Sequence, residues 1–258
     1  MASPATILRS RPYRSAVGFE VRTEDGLRIR GSRIGATGPN LILCHGLLGW
    51  HRKMRIVRFA EVLTTRFAVF AIDLRGHGAS EGVCTYGDRE ILDVDAAVAF
   101  ARAERPSEPV VTLEISMGGT SVLRHGGLRG GVDMVVSVSA PARWDGHTSR
   151  AVRQLTWMGS TERGRRAARA MGVRLSPLAR VSEMPEDVIG RISPTPVLVV
   201  HGRDDHFFDE EEAWRLYRAA RTPKRLMLAA RFGHAEDGLT ASLAGRLAER
   251  IIATLGRT

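Results

Sequence analysis

The sequence predicts an α/β fold: a mostly parallel, doubly wound sheet with an antiparallel hairpin at its N-terminal edge and a helical insertion late in the chain. Three observations carry that expectation. Short continuous apolar runs recur, as strands buried on both faces require. Segments with apolar residues at helical spacing alternate with them. An Asp25-Gly26 turn signal separates two alternating segments near the start. At 258 residues the chain can bury one sizeable core and is short for two.

The elements follow in order. Residues 17–23 alternate as a strand and residues 27–34 form its hairpin partner. Residues 40–44, Asn-Leu-Ile-Leu-Cys, read as a doubly buried strand. A helix over 52–65 is predicted from Ile56, Phe59, Ala60 and Leu63, and a buried strand from 67–72. Ile91, Val94, Ala97, Val98 and Ala101 share one face of a helix over 91–103. A strand over 110–115 leads into a helix-compatible segment, 120–125. Strands follow at 132–139 and 195–200, then a helix over 210–220, a last strand over 225–229 and a closing helix over 239–255. The alternation lapses over residues 141–192, where short amphipathic pieces, Gly and Pro breaks and a helix start at Pro185 predict an inserted lid over the C-terminal edge of the sheet.

Composition narrows the class. Hydrophobic residues at 43% and charged residues at 26% are those of a soluble globular domain. Residues 1–15 contain Arg9, Arg11 and Arg14 without an apolar stretch, so no secretory leader is expected, and no run approaches a membrane span. Cys44 and Cys84 form no disulfide, metal or redox pattern. A cytoplasmic protein is the expectation. The net charge is +10, almost all from arginine. With aromatic residues at 6% and no nucleic-acid motif, a solvated basic surface is expected rather than a nucleic-acid partner.

The chemistry concentrates at Glu114-Ile115-Ser116-Met117-Gly118-Gly119. A strand turning sharply into a helix with Ser at the apex holds the hydroxyl out on a strained turn. Small residues are wanted around the apex, because the strand and helix backbones nearly touch there. Gly118 and Gly119 satisfy this downstream, whereas Glu114 stands where the pattern has glycine. A serine also needs a base and a group that orients the base. His201-Gly202-Arg203-Asp204-Asp205 follows one predicted strand and Gly233-His234 follows the last, so both fall at the strand ends where Ser116 lies. Asp205 would orient His234, with the adjacent Asp204 as the alternative acid. Oxyanion donors are expected at the amides of Met117 and of Leu47, in the loop Cys44-His45-Gly46-Leu47-Leu48-Gly49.

These segments, with Asp73-Leu74-Arg75-Gly76-His77-Gly78-Ala79-Ser80, resemble the α/β-hydrolase-fold proteins, in the branch of monoacylglycerol lipases, lysophospholipases and serine peptidases with a short lid. The resemblance covers nearly all the chain beyond residue 16. It implies hydrolysis of a carboxylic ester, thioester or amide through an acyl-enzyme, with no metal and no organic cofactor. The expected partner is a small-molecule acyl ester or thioester.

Alternatives stand beside these roles. Ser116 could be structural at a strand–helix junction, and His234 a loop histidine. Glu114 could pair with an arginine, distort the elbow, or mark a non-catalytic binder. His206 and the run Asp209 to Glu212 lack metal-ligand spacing and suit a helix start. His45 and His77 suit loop bracing. Leu48, Trp144, Trp157 and Met158 are the expected substrate-binding residues, with ordinary packing as the other reading. Arg163, Arg165, Arg166 and Arg169 could steer an anionic substrate or form a solvated face.

Overall fold

The computed structural model describes residues 10–144, 146–179 and 181–256; the N-terminal stretch read for a leader lies largely outside them. The strands are β1 (Val17–Arg22), β2 (Arg28–Ile34), β3 (Asn40–Cys44), β4 (Ala68–Ile72), β5 (Val110–Ile115), β6 (Met134–Val138), β7 (Val197–Gly202) and β8 (Lys224–Ala229). They form one sheet in the order β1-β2-β4-β3-β5-β6-β7-β8. Pairing is antiparallel from β1 through β2 to β4 and parallel from there on. The doubly wound sheet with its N-terminal hairpin is the predicted architecture.

Alternation along the strands sends side chains to two cores. Leu41, Leu43, Val111, Leu113 and Ile115 pack with α1 (Met54–Leu63) and α8 (Ala241–Leu255) on one face. Ile42, Cys44 and Phe70 pack on the other, under α2 (Glu90–Glu104), α3 (Met117–Leu128) and α7 (Glu210–Ala219). In the central parallel strands the register sets Cys44 beside Glu114 and Glu114 beside Ser137. Glu114 therefore projects toward α2 and α3.

Between β6 and β7 the chain builds α4 (Arg150–Ser160), α5 (Glu162–Ala170), the short α6 (Pro185–Val188) and a 3-10 turn, Ile189–Ile192. Ser149 caps α4 by accepting from Val152 N–H, and Thr161 caps α5 by accepting from Gly164 N–H. Pro185 opens α6 as expected, with Asp187 accepting from Met184 N–H. The closing helix starts at Ala241 rather than 239, because Thr240 caps it through Leu243 N–H. The strand expected from 195 starts at Val197; Pro196 has no N–H for the ladder. Among the described residues no helix is long and apolar enough to cross a membrane.

Candidate active site

Strand β5 ends at Ile115 and α3 begins at Met117, so Ser116 alone makes the turn, at φ 62° and ψ −122°. A non-glycine residue there is strained by roughly 1–3 kcal/mol and persists only where its surroundings over-determine it. Ser116 N–H donates to Val138 O at 2.7 Å, pinning the turn to β6. The loop after β3 presses against it: a Cβ on Gly46 would lie 3.0 Å from Ser116 Cβ and 3.0 Å from Ile115 O. Close approach is thus the reason for Gly46, whereas the left-handed turn conformation falls on Leu48, at φ 63°.

Ser116 Oγ lies 2.7 Å from His234 Nε2, and His234 Nδ1 lies 2.8 Å from Asp205 Oδ2. The carboxylate holds the proton on Nδ1, which leaves Nε2 to accept from the Ser116 hydroxyl. Of the two adjacent acids, Asp205 is the one that reaches the imidazole; Asp204 is exposed. Asp205 Oδ1 accepts from the amides of Phe207, at 2.8 Å, and Phe208, at 3.1 Å. Burial pushes this carboxyl up, but the His234 hydrogen bond and charge, the Phe208 amide and His201 outweigh it and hold it below the usual range. Phe207 stacks on the His234 ring with centroids 4.2 Å apart. The loops are tied at both ends: Asp204 N–H donates to Phe232 O, and Ala235 N–H to Ser139 Oγ. Ser116 and His234 remain 9% and 8% exposed, so a substrate atom has an opening to reach them.

As the first residue of α3, Met117 carries one of the N–H groups that a helix leaves without an internal partner. Leu47 lines the same cavity as Ser116 and His234. The loop bearing Leu47 is braced by His45, whose Nδ1–H donates to Gly46 O while Nε2 accepts from Leu74 N–H. Protonation would break the second bond, and burial, with the neighbouring His77, holds the His45 pKa down to about 3. Asp73 ties the same region by accepting from His51 N–H and Ala79 N–H.

Comparisons with known proteins bear on the family and the fold. The profile of the family described as serine aminopeptidase, S33, a family of α/β-hydrolases, matches residues 37–183, more than half of the chain. The chain belongs to that family. It is similar to the uncharacterized protein YfhR of Escherichia coli K12, at 27% identity over 224 residues, covering 83% of this chain and 72% of YfhR. It is also similar to a pimeloyl-[acyl-carrier protein] methyl ester esterase of Chromobacterium violaceum, at 34% over 120 residues, 46% of this chain and 41% of that one. Among solved structures, the Pyrococcus furiosus esterase Pf2001 superposes with TM-score 0.73 at 22% identity, covering 94% of this chain and 91% of the esterase; at that identity the likeness shows the fold.

Two cavities flank the serine of this S33-family chain. One, of about 280 Å³, holds Ser116 and His234 with Leu48, His206, Phe207 and Asp237 around them. The other, of about 640 Å³, is mostly apolar and lined by Tyr86, Trp144, Val152, Leu178 and Met184. It does not contain Ser116, but Leu47 and Leu155 line both, so the two spaces meet at those side chains. Leu48 and Trp144 thus line cavities. Trp157 and Met158 do not: Trp157 is exposed and Met158 is buried in the core. Helical geometry explains the difference, since Val152, Leu155 and Thr156 share one face of α4 and Trp157 points away from it. Tyr86, Leu155, Phe207 and Met184 were not among the expected substrate-binding residues; the place of Leu155 in an amphipathic piece of the expected lid, and of Phe207 two residues beyond Asp205, could have suggested those two.

Glu114 is wholly buried, and among the described residues no arginine meets it. Its Oε2 accepts from Val122 N–H at 2.7 Å. The elbow is formed despite this departure. Glu212, expected as part of a helix start, lies in the first turn of α7, where it is buried and accepts from the Ala142 and Arg143 amides, holding the chain as it leaves β6.

Proposed function

We propose that this protein is a serine hydrolase of carboxylic esters that works through an acyl-enzyme. The continuous hydrogen-bonded chain Ser116–His234–Asp205 carries this reading. Ser116 Oγ attacks the ester carbonyl carbon while His234 Nε2 takes its proton, and the Leu47 and Met117 N–H groups hold the oxyanion. His234 returns the proton to the leaving alcohol as the carbon–oxygen bond breaks, leaving acyl-Ser116. Water, deprotonated by His234, then releases the acid and restores the serine. Asp205 keeps the imidazole in the tautomer that both steps need.

The leaving alcohol must lie beside the imidazole that protonates it, in the smaller cavity. The acyl group then extends past Leu47 and Leu155 into the larger one, which is within the size range that encloses a small-molecule ligand. Residues 141–192 act in this reading as the lid that walls the acyl side. Hydrolysis of a panel of soluble esters tests the proposal: an initial burst of alcohol followed by steady turnover is expected, lost in Ser116→Ala. Turnover that survives Ser116→Ala refutes it.

A thioester or carrier-borne acyl group is the second reading. Arg165, Arg166 and Arg169 of α5 line a separate cavity of about 210 Å³ with Glu162, a basic surface suited to an anionic carrier. Acyl-coenzyme A thioesters in the same panel distinguish it by their relative kcat/KM.

A further inference from the structure

We propose that Glu114 is a positioning residue for Ser116, its carboxyl group bracing the second turn of α3 against β5 so that the serine elbow holds its strained conformation. The inference rests on the reading of Ser116 as nucleophile, but its central observations concern the fold.

The first observation is the hydrogen bond. Val122 is the sixth residue of α3, beyond the first four amides that a helix leaves free. Its N–H nevertheless donates to Glu114 Oε2 at 2.7 Å, a bond that ties the helix to the strand. Glu114 and Ser116 are two residues apart on the same strand end, so this tie acts on the backbone that sets the serine hydroxyl.

The second observation is the slot. A glycine at this position normally lets strand and helix backbones approach. Here small neighbours make room instead: Cys44 and Ser137 flank Glu114 in the adjacent strands, and Thr112 sits two residues back on the same face. Burial pushes the Glu114 carboxyl well above the usual carboxylate range, against the Val122 amide and the Ser121 hydroxyl and with Glu90 adding to the rise.

The third observation is the expense to folding. Among the described residues Glu114 Oε1 makes no well-formed hydrogen bond, with only the Ser121 hydroxyl near enough to act on the carboxyl, and the hydroxyls of Thr112, Ser121 and Ser137 are buried without a well-formed bond of their own. An unsatisfied polar atom in the core is destabilising, and an apolar side chain of similar volume would relieve it. One oxygen of Glu114 thus burdens the core while the other holds the helix that carries the reactive turn.

The experiment compares Glu114→Met, which keeps bulk and removes the acceptor, with Glu114→Gln, which keeps an acceptor for Val122 N–H. Thermal unfolding, kcat and KM on a soluble ester, and amide hydrogen exchange over residues 116–122 are measured for both. Glu114→Met is expected to unfold at the wild-type temperature or above it, with kcat at least ~10-fold lower at little-changed KM and faster exchange in the segment. Glu114→Gln is expected to keep kcat and exchange close to wild type. Wild-type kcat in Glu114→Met, or activity and stability lost together, overturns the proposal. If wild-type protein hydrolyses no ester, the function reading has failed, and exchange alone decides the brace: unchanged exchange in Glu114→Met refutes it.

Discussion

Replacing Asp205 by Asn changes one atom and reverses the polarity of the site. Asp205 Oδ1 accepts from the Phe207 and Phe208 amides, so in Asp205→Asn the amide oxygen is held at those two donors. The side-chain NH2 is then directed at His234 Nδ1, 2.8 Å away, where the carboxylate oxygen stood. An NH2 group can only donate there, so Nδ1 becomes the acceptor and the ring proton moves to Nε2. Nε2, 2.7 Å from Ser116 Oγ, can no longer take the serine proton. A wrong tautomer in an otherwise intact serine–histidine pair lowers kcat by about 10⁴-fold, or roughly 5 kcal/mol of barrier. The loop should hold, because both backbone amides keep their acceptor. The assay is steady-state hydrolysis of a soluble ester near neutral pH, beside an unfolding curve. Asp204→Asn, at the exposed neighbour, serves as the control and should be silent. A fall of less than tenfold in Asp205→Asn, with wild-type stability, would refute the tautomer argument.

Other expectations follow from the same contacts. In the unfolded chain His45 and His77 take up protons below about 6.5, whereas burial holds them down to about 3 and about 4 in the folded chain. The unfolded chain therefore binds more protons in that interval, so stability is fully present above about 6.5 and falls toward pH 4. His77→Gln should flatten this slope in urea titrations between pH 7 and 4; an unchanged slope would count against neutral burial. Gly202→Ala would set a Cβ 2.1 Å from Phe232 O and 2.5 Å from Gly233 O, both backbone, forcing apart the loops that carry Asp205 and His234. It should cost at least ~2 kcal/mol in chemical unfolding and abolish hydrolysis; a wild-type unfolding midpoint contradicts the packing described. Leu155→Trp fills the junction of the two cavities, so kcat/KM for long acyl esters should drop at least ~10-fold while acetates are spared. Equal loss for both would argue against the acyl route.

Much of this was legible in the sequence. The run Asn40 to Cys44 declared a doubly buried strand, and the structure places it third in chain order at the sheet centre. The order of Ser116, Asp205 and His234 at strand ends could be read because parallel strands bring their C-terminal ends to one edge. Adjacent acids could not be separated, since only the loop geometry turns Asp205 inward and Asp204 out. Trp157 misled because apolar character alone does not state which way a helix faces in an insertion packed on one side. The acidic run Asp209 to Glu212 was rightly read as a helix start, but the burial of Glu212 under the chain leaving β6 left no mark in that pattern. The partner of Glu114 was hidden for a different reason: a backbone amide leaves no trace in side-chain spacing.

The central claim is that Ser116 is made nucleophilic by His234, and covalent labelling reads this most directly. A fluorophosphonate probe followed by peptide mass mapping should place a single adduct on Ser116, with the labelling rate collapsing in His234→Ala while the fold is retained. An adduct on another residue, or unchanged labelling without the imidazole, would contradict it.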